Sequence, residues 1–339
     1  MRMRTSSTRR VFLQATALAG AALPFIGCAH AARQGGASAR VSGSFALDAN
    51  RVRFFSPAIR KPLNVMVIAD THLFMDDARG EPFKTYSGRM AKGYNKTRHF
   101  KTGAPTNPQE SFEKTLGLAK ESRVDLLALA GDIVSFPSQA GIEWAHARLK
   151  ACGVPFLYVA GNHDWHYEGM AGSEMALRAE WTEKRLRPLY QGSHPLMSVS
   201  EINGVRFVAI DDSTYEILPE QLAFFRDQVA SGLPLMLLMH IPLYAPGRDV
   251  GFGCGHPDWG AKSDKNWQIE RRPKWPAEGH SATTLAFRRE VFAAPNLLGV
   301  FAGHTHQQSL DCVDGVPQFV TEANAAGGYL SAEFHPCRL

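Results

Sequence analysis

Cysteine is scarce in this chain, with five in 339 residues, and no two stand in a C-x-x-C pair, which argues against a thiolate zinc site. No apolar run in the body of the chain reaches the roughly 18 residues of a spanning helix, so a membrane-embedded fold is not expected. No internal repeat and no second hydrophobic core stand out. Acidic residues are missing from residues 1–28, where Arg2, Arg4, Arg9 and Arg10 fall. Without those four arginines the formal charge of +5 drops to +1. A nearly neutral remainder gives a basic nucleic-acid groove little support, and no specific nucleic-acid binding is expected. What is present, 45% hydrophobic and 20% charged residues, describes a folded globular protein.

The N-terminus has a pattern of its own. Ser7-Thr8-Arg9-Arg10-Val11-Phe12-Leu13 precedes a moderately apolar run from Ala15 to Ile26. This resembles a twin-arginine export signal. Ala29-His30-Ala31 supplies a small-x-small cleavage site. Phe25-Ile26-Gly27-Cys28 competes with it as a lipoprotein box that would leave a lipid on Cys28. Phe rather than Leu at its first position favours soluble release. The reading is a signal peptide at 1–31, a linker at 32–60 and a single catalytic domain at 61–339. The product would be periplasmic, meeting the membrane only through the signal or that lipid. Of the other cysteines, Cys152, Cys254, Cys312 and Cys337, the pair Cys312–Cys337 is the first to test for a disulfide, with free thiols the favoured alternative.

From residue 63 the pattern becomes regular. Short apolar runs at 63–69, 126–130, 156–160, 235–239 and 297–302 suit buried strands. Helical patterns lie at 107–122, opened by Asn107-Pro108, and at 137–150, 171–186, 219–230 and 282–292. Asn203-Gly204 and Asp314-Gly315 mark two hairpins. The alternation predicts an α/β domain with mixed sheets. Two long stretches, 73–106 and 244–281, read as irregular loops.

The chemistry sits where the apolar runs end. The first is followed by Asp70-Thr71-His72, the second by Gly131-Asp132, the third by Gly161-Asn162-His163-Asp164. The fourth is followed by His240 and the fifth by Gly303-His304-Thr305-His306. One such residue after a strand is usually a cap or a satisfied polar group. Five strand ends delivering only Asp, His and Asn point to one site, at the end of the sheet where open α/β folds bind ligands. Imidazole and carboxylate without thiolate suit manganese, zinc or iron better than calcium. Seven such side chains exceed the needs of one ion, and a carboxylate shared between two ions resolves the excess.

The series D-x-H, G-D, G-N-H-D, H and G-H-x-H, in that order, resembles the calcineurin-like metallophosphoesterase superfamily. The resemblance implies a two-sheet β-sandwich flanked by helices (αββα), with a dinuclear site at the strand C-terminal ends. It implies Asp70, His72 and His306 on one ion, Asn162, His240 and His304 on the other, and Asp132 bridging. Purple acid phosphatases carry a tyrosine ligand three residues after the bridging aspartate. Here that position is Ser135, so an iron–tyrosinate centre is not expected.

The implied reaction is hydrolysis of a small-molecule phosphate ester, monoester or diester. Two cations about 3.5–4 Å apart would make a bridging hydroxide for in-line attack. By resemblance His163 assists the leaving group, with Asp164 holding one of its ring nitrogens. A phosphodiesterase or nucleotide hydrolase specialised by the two long loops is the alternative. A non-catalytic scaffold of the same fold is disfavoured by the intact ligand set. Weaker candidates are His166 and Tyr167 as pocket lining, and Asp211 and Asp212, for which turn or cap duty is the leading reading. Seven basic residues against three acids in 73–106 would attract an anion, or simply form a solvated basic loop. Trp259, Trp267 and Trp275 would stack on a base or pin their loop.

Overall fold

The computed structural model describes residues 43–248, 254–255 and 279–337. The export signal, Cys28 and the three loop tryptophans lie outside the described residues. Within them, strand residues alternate between two separate apolar layers. In β3 (Leu63–Ile68) Val65 and Val67 enter one core and Met66 and Ile68 another. β6 (Leu126–Ala130) divides in the same way, with Leu126 and Ala128 on one face and Leu127 and Leu129 on the other. A strand buried on both faces has no polar face, which is why its sequence reads as a continuous apolar run.

These strands build two six-stranded sheets. The first is ordered β1-β2-β14-β3-β6-β7, with β1 Ser44–Asp48, β2 Arg51–Ser56, β7 Phe156–Val159 and β14 Leu330–Pro336. β3, β6 and β7 run parallel, and β14 is antiparallel to β3. The second is ordered β12-β13-β11-β10-β9-β8. Its strands are β8 Met197–Ile202, β9 Val205–Ile210, β10 Leu235–Leu238, β11 Leu297–Ala302, β12 Ser309–Val313 and β13 Val316–Val320. β9, β10, β11 and β13 are parallel, and β8 and β12 close the two expected hairpins.

Phenylalanines fill the space between the sheets. Phe334 stacks on Phe54 with ring centroids 4.8 Å apart and meets Phe207 edge-on at 5.6 Å. Helices cover the outer faces. Helices α2 (Pro108–Glu121) and α3 (Gln139–Cys152) pack on the first sheet; α6 (Pro219–Ala230) and α7 (Ala282–Ala293) pack on the second. The order of layers is helix, sheet, sheet, helix, the architecture expected from the sequence. No helix among the described residues is long and apolar enough to cross a membrane.

Local chemistry explains the helix ends. Asn107 Oδ1 accepts the amide of Glu110 at 3.0 Å, and Pro108 takes the first helical position, where an N–H would go unused. Gly153 stops α3 in the left-handed region. The helix read at 171–186 is α4 (Glu174–Trp181) followed by a π-turn over Thr182–Leu186 and a short α5 (Arg187–Tyr190).

Two sequence expectations need correction. Residues 44–56, inside the expected linker, form β1 and β2. Val52 and Phe54 alternate into the core while Arg51 and Arg53 turn toward the surface, a pattern masked by the polar composition upstream. The stretch 73–106 is not an open loop. A 3₁₀ turn (Ala78–Phe83), helix α1 (Lys84–Gly93) and a small hairpin of β4 (Thr97–Arg98) and β5 (Pro105–Thr106) occupy it. Asp77 starts the turn by accepting the amide of Arg79, whereas the glycines and scattered apolar residues hide the helix from periodicity. Cys312 and Cys337 are free, the alternative the sequence favoured: one lies on β12 of the second sheet, the other just past β14 of the first.

Because Phe334 is fully buried at the centre of the inter-sheet layer, Phe334→Ala is expected to lower stability by about 3–5 kcal/mol in urea unfolding. A loss under 1 kcal/mol would contradict the assigned core.

Candidate metal centre

Backbone pairing continues past the strand ends and carries the site residues with it. The amides of Asp70 and His72, beyond β3, donate to the carbonyls of Gly131 and Asp132, beyond β6, at 3.0 and 2.9 Å. The second sheet joins there, because the Gly303 amide donates to His240 O at 2.9 Å and the His304 amide donates to the Asp70 carboxylate. Five of these residues hold left-handed backbone: Asp70 (φ 55°), His72 (53°), Asp132 (51°), His304 (72°) and His306 (59°). Such conformations cost about 1 kcal/mol or more each and persist where their surroundings dictate them. Glycine is required beside them. A Cβ on Gly131 (φ 83°) would sit 2.6 Å from the Gly161 amide and from His240 Nδ1, and one on Gly161 would run into the Asp132 carboxylate.

All seven side chains proposed as ligands converge. His72 Nε2 lies 3.0 Å from His306 Nε2 and 3.9 Å from Asp70 Oδ1, which is 3.5 Å from His306 Nε2. Asp132 Oδ2 lies 3.9 Å from His72 Nε2 and 3.2 Å from His240 Nε2. Asn162 Oδ1 is 3.2 Å from His240 Nε2, and His304 groups with Asp132 and His240 within 4.8 Å. The result is two donor groups that share the Asp132 carboxylate.

The donor set fits cations on two further grounds. Two imidazole nitrogens 3.0 Å apart cannot both donate to each other, and burial followed by the nearby His306 ring holds His72 well below its usual pKa, keeping its ring neutral. Around His240, burial opposes the charged form, but the Asp132 carboxylate overcomes it and pushes the ring up to about 10. Burial would raise Asp132 as well, yet the His240, His163 and His72 rings hold its carboxyl well below the usual range. The pocket draws positive charge, and protons supply it when no metal does.

The candidate ligands have supports behind them. His240 Nδ1 lies 2.8 Å from Ala130 O, and the Tyr215 hydroxyl lies 2.9 Å from His304 Nε2. Buried Asn324 accepts from Thr71 Oγ1 and donates to Thr115 Oγ1 and to the Gly328 carbonyl, bracing the Asp70–His72 turn. Ser135, at the tyrosine position of purple acid phosphatases, donates its hydroxyl to His72 O at 3.0 Å. Tyr94, from the turn after α1, stacks on the His72 ring at 4.0 Å. Nothing in the sequence marked Tyr94 or Tyr215; the Gly327-Gly328 pair hinted only at a turn near Asn324.

The role expected of Asp164 is corrected. Its carboxylate accepts three amides, from Asp132 and Gly161 at 2.9 and 2.8 Å and from Val134 at 2.9 Å. The His163 ring instead places Nδ1 3.3 Å from Ser135 O, while the His163 amide donates to Asp132 Oδ1 at 2.8 Å. A carboxylate committed to three amides ties the ends of β6 and β7 together. Burial and the Asp132 charge push it up to about 7 despite those bonds.

Among the weaker candidates, Tyr167 is core, stacked on Phe83 at 5.1 Å. His166 is half-buried with its ring edge-on to Trp165. Asp212 Oδ1 accepts the His240 and Ile241 amides, and Asp211 pairs with buried Arg178 at 3.4 Å, so both serve the backbone and packing. In the basic stretch, Arg79 is paired with Asp77 and Glu143, Lys84 with Glu81, and Lys101 with Asn50.

Residues 63–308 match the model of a family described as Calcineurin-like phosphoesterase. A "Probable cyclic nucleotide phosphodiesterase" of Psychrobacter arcticus is 26% identical over 226 residues, covering 63% of this chain and 68% of that protein. A protein of the same description from Psychrobacter sp. (strain PRwf-1) is 26% identical over 121 residues, 30% of this chain and 36% of its own length. The crystal structure of a dimetal phosphatase from Danio rerio superposes with a TM-score of 0.50 at 13% identity, covering 79% of this chain and 91% of that one, a likeness of fold.

Loss of the Asp164 carboxylate strands three buried amides. Asp164→Ala is therefore expected to cost about 3 kcal/mol or more in urea unfolding, while His163→Ala changes stability by less than about 1 kcal/mol. Equal losses in the two variants would refute the assignment of Asp164 to the backbone.

Proposed function

The chain belongs to the calcineurin-like phosphoesterase family and is a phosphoester hydrolase, and we propose that it cleaves small-molecule phosphate esters using two divalent cations, manganese, iron or zinc. The reading rests on one oxygen. Asp132 Oδ2, 3.2 Å from His240 Nε2 and 3.9 Å from His72 Nε2, faces both donor groups at once. In this reading Asp70, His72 and His306 hold one ion, Asn162, His240 and His304 the other, and Asp132 is shared. Bound there, the pair would activate water near neutral pH and offset charge on the phosphoryl oxygens.

The chain's own groups orient and protonate. Asp132 Oδ1 accepts the His163 amide, so the shared carboxylate and the proposed acid are fixed by one backbone bond of 2.8 Å. His163 Nδ1–H donates to Ser135 O, which leaves Nε2 for the substrate. A doubly protonated His163 gives its Nε2 proton to the departing alkoxide and keeps its Nδ1–H, which donates to Ser135 O. Its half-buried position allows that proton to be replaced from solvent.

The cyclic-nucleotide relative supports a diester substrate as the more specific reading. Specificity would be set by the stretches 73–106 and 244–281, which follow His72 and His240 directly. The pattern at residues 7–13 supports export by the twin-arginine route to the periplasm.

Chelation of the purified protein is expected to abolish hydrolysis of p-nitrophenyl phosphate and its bis ester, and added manganese, zinc or iron to restore it. Asp132→Asn should lose more than about 100-fold, beyond what removal of an outer support costs. A higher rate on the bis ester and on a cyclic nucleotide would select the diester reading; turnover that survives stringent chelation would sink the metal mechanism. For export, replacing Arg9 and Arg10 by Lys is expected to hold the protein in the cytoplasm of fractionated cells, and unchanged fractionation would refute that route.

A further inference from the structure

Histidines that bind metals are normally fixed by a hydrogen bond at the ring nitrogen facing away from the ion. His240 follows this rule through Ala130 O, and His304 is tied by the Tyr215 hydroxyl. His72 departs from it. Its Nε2 points at His306, Asp70 and Asp132, while its buried Nδ1 has no hydrogen-bond partner among the described residues.

A flat ring covers the face of that imidazole instead. Tyr94 lies face-on to the His72 imidazole, with centroids 4.0 Å apart and planes 18° from parallel. The same phenol ring meets His306 edge-on at 5.1 Å and 77°. His306 and His163 present further edges to His72, each at 4.9 Å. The last torsion of a histidine is broad when nothing holds it. A turn of the imidazole about that torsion would drive its edge into the Tyr94 face, so the stack fixes the plane in which Nε2 points.

We propose that Tyr94 is the positioning residue for His72, its ring substituting for the missing hydrogen bond and thereby setting affinity at the ion site of Asp70, His72 and His306. The inference rests on the two-ion reading above. It ties that site to the stretch 73–106, because Tyr94 is the residue that closes α1. The site of Asn162, His240 and His304 has its supports elsewhere and is independent of Tyr94. The ring carries the effect, so phenylalanine can replace tyrosine here.

The test counts ions on the loaded protein as chelator is raised, for wild type, Tyr94→Phe and Tyr94→Leu, with manganese as probe and circular dichroism as the folding check. Tyr94→Leu is expected to release one of two ions at about tenfold lower chelator concentration. The second ion is expected to leave as in wild type, and Tyr94→Phe to retain both. If Tyr94→Leu misfolds, Tyr94→Asn at the same half-buried position is read in its place. Release unchanged in Tyr94→Leu, equal weakening of both ions, or a Tyr94→Phe protein as weak as Tyr94→Leu would each overturn the proposal. A wild-type protein that holds fewer than two ions would overturn the two-ion reading itself, a different failure visible before any variant is made.

Discussion

Three amides, from Asp132, Val134 and Gly161, end on one buried carboxylate. That junction at Asp164 fastens the segment leaving β6 to the segment leaving β7. The left-handed turn at Asp132, the close approach of Gly161 and the direction of the Asn162 side chain all follow from it. A buried carboxylate that lost its donors would carry a large desolvation cost. Among the described residues the amides in turn have no other acceptor. Each party enforces the other, and the strained backbone of the site is held by this mutual need.

The two sheets contribute differently to the centre that results. The first supplies Asp70, His72, Asp132 and Asn162; the second supplies His240, His304 and His306. Cross-links between them are short and polar: the His304 amide on the Asp70 carboxylate, and His240 Nδ1 against Ala130 O. The aromatic layer deeper between the sheets sets their spacing, and these bonds set their register at the open end. Rigidity of that kind suits a site whose donor atoms must stay within a few ångströms of one another.

Much of this was legible in the sequence because buried parallel strands announce themselves as apolar runs and their ends follow directly. Asp70, Asp132, Asn162, His240 and His304 could be read as one site for that reason. What was not legible depends on through-space contact. β1 and β2 lay within a segment whose opening composition is that of a linker, and only the alternation of Val52 and Phe54 betrays them. Tyr94 sits in a stretch with no clear period and reaches His72 by tertiary packing alone. Asp164 stands next to His163 in sequence, so adjacency suggested a pairing. Adjacent side chains in a tight turn point apart, and the carboxylate turned to the backbone instead.

β14 lies between β2 and β3 in the middle of the first sheet, although β2 and β3 are separated from it by more than 260 positions of chain. Until residues 330–336 are in hand, the β1–β2 hairpin has no bond to the rest of its sheet. A nascent chain still on the ribosome therefore carries an open seam down the centre of that sheet, with β3 exposing an unpaired edge. Such an edge invites wrong partners. Final closure is long-range and slow by nature, and it completes the centre of that sheet only when β14 enters between β2 and β3.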